Sequence, residues 1–199
     1  MYNDKNIRKS FRRWCRVEMS DEALYAQYLK RGDNEALRCL LERHREGLTL
    51  FLFGYVRNAE EAEELMLDAF AEIAVGPTVF SGKSSFKTWL FSVGKHLALK
   101  QLRRKKQVGL PELPDLSEAV QPELRLLQQE RNRQLYLALE RIAPEYRQVL
   151  ELQYMENMSP AEIAQVMGKR AGQIYNLIKR GKQALRSELE RMGVTDAEF

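Results

Sequence analysis

Apolar residues in this chain recur at spacings of three and four and no stretch alternates convincingly at period two, which confines the chain to helices. Leu37, Leu40, Leu41, Leu48, Phe51, Leu52 and Tyr55 line one face of a long core helix. Asn58 followed by Glu61 has the form of a helix start, and Ala62, Leu65, Ala69, Phe70 and Ile73 carry the pattern on until Gly76 and Pro77 stop it. Ser84 or Ser85 caps a third helix with the inner stripe Phe86, Leu90, Val93 and Leu97. The period then fails, because residues 107–122 hold Pro111, Pro114 and Pro122 among Glu112, Asp115 and Glu118, which is the composition of a linker. Beyond it Leu124, Leu127, Leu135, Leu139 and Ile142 mark another helix. Pro144 suits the first turn of the next, which buries Tyr146, Val149 and Leu150.

The expected fold is all-α, two small helical domains joined by a flexible linker. A chain of 199 residues, 44% of them hydrophobic, can build two small cores. The boundaries read as a basic N-terminal extension over 1–19, a helical domain over 20–106, the linker over 107–122, a second helical domain over 123–192 and a tail over 193–199.

Several function classes are disfavoured. There is no phosphate-cradling glycine loop, no nucleophile elbow and no histidine–carboxylate metal pattern, so no enzyme and no catalytic residue is expected. The carboxylates Glu60, Glu61, Glu63 and Glu64 cluster at a helix start, where they favour the helix dipole. Cys15 and Cys39 lack CxxC spacing and only His44 and His96 could join them, so reduced thiols, no metal and no cofactor are expected. The segment Asn3–Glu18 is basic and carries Phe11 and Trp14, but lacks the apolar core of a signal peptide. No stretch reaches membrane-spanning length, which points to the cytoplasm without membrane insertion. The net charge of +4 is too modest to establish an anionic partner, so the positions of the charges must carry that case.

Those positions matter most in the second domain. Ser159, Pro160 and Glu162 form a capping box with proline at the first helical position, and the helix ends at Gly168. From Ala164 to Gly168, Ile174 and Leu177 the offsets of four, six and three match a helix-turn-helix: a small residue for close contact, glycine for the turn, apolar residues for the seam. On the following helix, Ile174, Leu177, Ile178, Ala184 and Leu185 share one face, whereas Tyr175, Asn176, Lys179, Lys182, Gln183 and Arg186 share the other. Such a polar face suits a major groove or, equally, plain solvent; with the cap, turn and seam before it, DNA binding is the favoured reading. The candidates are Arg170, Gln173, Tyr175, Asn176 and Lys179.

The third helix offers a different surface. Trp89, His96 and Arg103 lie seven apart in a ridge beside Lys100, Arg103, Arg104, Lys105 and Lys106. Aromatic rings beside positive charge suit the unstacked bases of an opened strand. Trp89 reads equally as a core residue or as a stacking platform.

The stretch from Phe80-Ser-Gly-Lys-Ser-Ser-Phe-Lys-Thr-Trp-Leu to Leu102-Arg-Arg-Lys-Lys106 resembles the second conserved region of bacterial RNA polymerase sigma factors of the sigma-70 family, extracytoplasmic-function (ECF) type. The stretch from Leu139-Glu-Arg-Ile-Ala-Pro-Glu-Tyr-Arg-Gln-Val-Leu150 to Arg186 resembles their fourth region. The resemblance implies a promoter-specificity subunit whose partners are RNA polymerase core, promoter DNA as duplex and as melted strand, and an anti-sigma factor. It assigns polymerase docking to Glu64, Leu65, Asp68 and Phe70, and the minus-ten element to Phe86, Thr88, Trp89, Arg103, Arg104, Lys105 and Lys106. It assigns the minus-thirty-five element to Arg170, Gln173, Tyr175, Asn176, Lys179 and Arg180. Leu67 stands where the family commonly has glutamine, and Gln173 and Leu177 where threonine and arginine are frequent, so promoter preference does not transfer from other members. The alternative is a stand-alone helix-turn-helix regulator, which needs a dimer; its only candidate seam, Leu124 to Ile142, is interrupted by Arg131.

Overall fold

Helices of the first unit begin at side-chain caps written into the sequence beside them. In the computed structural model, which describes residues 19–76, 80–107 and 130–194, helix α1 spans Asp21–Arg31 and starts at Ser20, whose Oγ accepts the Ala23 N–H at 3.2 Å. Helix α2, Asn34–Val56, starts at Asp33, whose carboxylate accepts the Glu35 and Ala36 amides. Helix α3, Ala59–Val75, starts as expected at Asn58, with Oδ1 accepting the Glu61 N–H at 3.0 Å. Helix α4, Phe86–Gln107, is capped at Ser85, whose Oγ accepts the Thr88 amide at 3.2 Å, and by Glu22 of α1, which accepts the Phe86 amide at 2.9 Å. The apolar period gives no warning of α1, which buries only Leu24 and Tyr25.

The second unit contains α5 (Glu130–Arg141), α6 (Pro144–Leu150), a π-helical turn (Glu151–Met155), α7 (Pro160–Met167) and α8 (Ala171–Arg191). Pro144 opens α6 as expected, while the π turn that continues it is not foreseen by the spacing. Helix α8 packs on α5, α6 and α7. The N-terminal extension up to residue 18, the linker together with Leu124 and Leu127, and residues 195–199 lie outside the described residues.

In the first unit α2 packs on α1, α3 and α4, with Leu40, Leu48, Phe51, Leu52, Met66, Leu90 and Phe91 almost wholly withdrawn from solvent. Helices α2 and α4 approach closely at Gly94, where a β-carbon would lie 3.0 Å from Leu48 Cδ1 and 3.4 Å from Leu52 Cδ2. The inner face of α4 is broader than the expected stripe. Phe86, Thr88, Leu90, Phe91, Gly94 and Ala98 are buried, while Val93 and Leu97 are half-buried. The cause is a second neighbour: α7 of the helix-turn-helix lies against α4, and α6 lies against α2. The two units that the sequence marks off thus share one continuous buried cluster. Cys39, expected as a reduced thiol, is buried and disulfide-bonded, its partner lying outside the described residues. The absence of a CxxC spacing does not bear on sulfurs brought together through space.

Asp21 ties α1 to α2. It accepts from Arg43 Nη1 at 2.7 Å and from His44 Nε2 at 2.7 Å, and His44 is buried. Burial alone pushes the Asp21 carboxyl up, but the hydrogen bonds and charges of His44 and Arg43 overrule it and leave it below its ordinary 3.8. A lowered carboxylate contributes stability above its unfolded pKa and loses it as pH falls through the folded one. Asp21→Asn is expected to cost ~1–3 kcal/mol near pH 7, with the deficit shrinking below about pH 4, in urea melts of both proteins across that range. A deficit that stayed constant to pH 3 would contradict this account.

Candidate nucleic-acid interface

The helix-turn-helix is assembled from short-range bonds. The Glu162 carboxylate accepts the Ser159 N–H at 2.9 Å and Ser159 Oγ accepts the Glu162 N–H at 3.3 Å, closing the expected capping box. Helix α7 ends at Gly168, which has φ 64° and leaves the helix in the left-handed region. The Gly168 amide reaches the Gln165 carbonyl at 3.3 Å and the Lys169 amide reaches that of Ala164 at 3.0 Å, the paired closure that turns the chain sharply into α8. The Arg170 amide donates to Gln173 Oε1 at 2.9 Å, so the Gln173 carbonyl oxygen is spent on the helix start and its NH2 is the group left for a ligand.

Ile174, Ile178, Leu185 and Leu189 bury the inner face of α8, and Leu177 is half-buried beside them. All six sequence candidates, Arg170, Gln173, Tyr175, Asn176, Lys179 and Arg180, are exposed along the first turns of that helix. Tyr175 is 61% exposed, which leaves most of a large ring in solvent. Asn176 can read an adenine edge in bidentate fashion, and Arg170, Lys179 and Arg180 can hold guanine or phosphate.

The α4 candidates divide. Phe86 is wholly buried, its ring centroid 5.2 Å from that of Tyr25, 6.1 Å from Phe80 and 5.7 Å from Trp89. It cannot touch DNA in this arrangement and instead supports Trp89 from behind. Trp89 is half-buried, between the two roles left open for it. Thr88 is also buried; its Oγ1 lies 2.7 Å from Ser85 Oγ and 3.3 Å from the Glu162 carboxylate of the second unit. At the other end of the helix Arg103, Arg104 and Lys106 are exposed, whereas Lys105 is paired with Glu61 at 2.6 Å. Between them His96 and Lys100 line a cleft of about 360 Å³ with Glu72, Ser92, Val93 and Leu97.

Two of the four docking candidates on α3 are likewise interior: Leu65 and Phe70 belong to the core. Glu64 and Asp68 are exposed, and between them Leu67 is 51% exposed and, two turns on, Val75 is 85% exposed. The solvent face of α3 is thus an acidic ridge with apolar side chains set into it. A groove of about 400 Å³ in the second unit, lined by Leu135, Leu139, Leu150, Tyr154, Met155 and Leu185, escaped sequence reasoning. Its walls come from three helices and the π turn, so no single period displays it. Among the described residues no group of histidine, cysteine and acidic side chains is arranged to hold a metal ion, and no helix is long and apolar enough to cross a membrane.

Comparison with known proteins gives two family matches along the chain. Residues 40–108 match the family model of sigma-70 region 2 and residues 132–185 that of sigma-70 region 4, together more than half of the chain. The ECF RNA polymerase sigma factor SigW of Bacillus subtilis is 24% identical over 81% of this chain and 92% of its own. The ECF RNA polymerase sigma-E factor of Escherichia coli K12 is 22% identical over 87% of this chain and 96% of its own. Among solved structures, the sigma factor RpoE bound to the anti-sigma factor NepR from Bartonella quintana aligns with a TM-score of 0.63 at 20% identity, covering 77% of this chain and 96% of that one. CnrH bound to the cytosolic domain of CnrY aligns with a TM-score of 0.59 at 21% identity, covering 86% of this chain and 97% of that one. Both structures support the fold.

Proposed function

Because this chain belongs to the sigma-70 family, as a member of the ECF type, we infer that it directs RNA polymerase core to specific promoters and assists their melting. The observation that carries this reading is the exposed polar face of α8 beyond a left-handed glycine turn, on a chain that also presents a basic helix end and an acidic, partly apolar ridge. One chain then has three surfaces for three different tasks. The chemistry of transcription belongs to the polymerase, and this protein contributes recognition. Its site of action is the cytoplasm, where the polymerase works.

In this reading Arg170, Gln173, Tyr175, Asn176, Lys179 and Arg180 contact the minus-thirty-five duplex, with base edges read mainly from the N-terminal part of α8. Trp89, Arg103, Arg104 and Lys106 meet the melted minus-ten strand, where base stacking on an aromatic ring is worth about 1–3 kcal/mol per base. Phe86, and Lys105 through its bond to Glu61, hold that surface in shape. Glu64, Leu67 and Asp68 dock on polymerase core, and Leu65 and Phe70 anchor the ridge that carries them. A hydrophobic Leu67 at the centre of that face loses its contact with water on docking, which offsets the missing polar partner that glutamine supplies elsewhere in the family. An anti-sigma factor, such as the one bound to RpoE in its solved complex, would compete for these same faces.

The decisive experiment is co-migration of the protein with bacterial RNA polymerase core on size exclusion, followed by displacement with the housekeeping sigma factor. Stable, competitive binding is expected; a folded protein that stayed unbound would favour a stand-alone DNA-binding regulator. Leu67→Asp is expected to lower core affinity about tenfold, a change of about 1.4 kcal/mol, without lowering the melting temperature, since the side chain is exposed. Asn176→Ala and Lys179→Ala are expected to weaken promoter binding by the holoenzyme by about 1–3 kcal/mol, with core binding unchanged. Loss of both activities in a folded variant would mean that the tasks are assigned to the wrong helices.

A further inference from the structure

The disulfide at Cys39 has no part in promoter recognition as described so far. Cys39 lies on α2 with only 3% of its surface exposed, and its sulfur is disulfide-bonded. The chain has two cysteines, and the other is Cys15. Structural disulfides belong to oxidising compartments. In the cytoplasm thiols are kept reduced, and the disulfides that do form are transient and either catalytic or redox-sensing. Of those two roles, sensing fits a protein that contributes recognition alone. In the sequence Cys15 is flanked by Arg12, Arg13 and Arg16, and cations beside a thiol favour the nucleophilic thiolate.

A bond from Cys15 to Cys39 closes a loop that contains the whole of α1. Of the four helices in the first unit, α1 has the fewest buried residues, Leu24 and Tyr25. The rest of its hold is polar. Arg43 of α2 donates to the Met19 carbonyl at 2.8 Å, where the chain enters the unit. Tyr25 Oη donates to the Ile73 carbonyl at 2.7 Å and Tyr28 Oη to that of Ala74 at 3.2 Å, both on α3. Elements with few buried apolar contacts are the first to open locally, and a covalent tether across the loop restricts the opened chain.

What α1 supports gives the tether a consequence. Glu22 accepts the Phe86 amide at the start of α4, and the Tyr25 ring lies 5.2 Å from Phe86 and 5.4 Å from Trp89. Opening of α1 therefore removes a cap of α4 and one wall of the aromatic cluster behind Trp89.

We propose that Cys15 and Cys39 are a reversible redox pair whose disulfide clamps α1 onto α2 and stiffens the support of Trp89. Hydrogen peroxide is the oxidant. The Cys15 thiolate attacks one peroxide oxygen, the O–O bond breaks, and the sulfur becomes a sulfenic acid while the other oxygen leaves as water. Cys39 then displaces the sulfenic oxygen as a second water and the S–S bond forms, so two thiols and one peroxide give one disulfide and two waters. A dithiol reverses the step. Its thiolate attacks the Cys15 sulfur, because that of Cys39 is buried, and Cys39 leaves as a thiol. The second thiol of the reductant then frees Cys15, and the reductant departs as a disulfide. That the pair is a sensor rests on the cytoplasmic task proposed above; its chemistry is read without polymerase or DNA, so its failure leaves that reading untouched.

The test uses the full-length protein, reduced with dithiothreitol, desalted and treated with one equivalent of hydrogen peroxide. After denaturation, a maleimide is expected to label both cysteines of the reduced sample and neither of the oxidised one. A Cys15–Cys39 linked peptide that dithiothreitol separates is expected by mass spectrometry. Amides of α1 are expected to exchange hydrogen about tenfold more slowly in the oxidised form, with a melting temperature higher by about 5–10 °C. Cys15→Ser leaves the buried Cys39 in place and is expected to behave like the reduced wild type under both conditions. In a Trp14→Phe background Trp89 is the single tryptophan, and its quenching by acrylamide is expected to increase on reduction. Peroxide that yields a sulfonic acid at Cys15, or links between chains, with no internal bond overturns the pair. An internal bond that changes neither α1 exchange nor Trp89 quenching overturns the clamp.

Discussion

Burial of α4 on two faces is the constraint on which the rest of the molecule depends. One face closes the core of the first unit, through Phe86, Leu90 and Phe91 and through the close approach at Gly94. The other lies against α7 and brings Thr88 out of solvent. A helix so placed cannot shift without disturbing both units, since packed cores tolerate little displacement. The exposed basic end beyond Lys100 is therefore carried on a rigid support. Its start is held as firmly: Glu22 and Ser85 satisfy amides of the first turn, and Tyr25, Phe80 and Trp89 ring Phe86.

What could be read from the sequence was whatever residues within a few positions of each other decide. The cap at Asn58, the box of Ser159 and Glu162 and the turn at Gly168 all follow from bonds spanning no more than five residues. The polar face of α8 follows from one helical period. Helix α1 did not, because its two buried residues make too short a pattern. Neither did the contact between Ser85 and Glu162, 77 residues apart, nor the groove shared by α5, α6 and α8.

Phe86, Leu65 and Phe70 make the same point from the other side. Helical spacing assigns each to an inner stripe, whereas family resemblance assigns each a contact with DNA or polymerase. All three are interior. A family motif marks positions that a function needs, and a buried aromatic that fixes its neighbour is needed as much as the neighbour that touches the ligand. Burial separates the two cases: Phe86 is wholly buried, whereas Trp89, packed against it, keeps part of its ring exposed.

Electrostatics then divides the molecule by purpose. Where a charged group faces solvent or sits at a helix end, it is satisfied locally, as Asp21 is by Arg43 and His44. Where charges meet between the units, bonds are fewer than the buried atoms require, and Arg57, Arg147 and Glu151 each keep an unpartnered atom. Well-packed hydrophobic residues often replace a buried ion pair without loss of stability, so the apolar cluster shared by the two units contributes more to holding them together than these charges do.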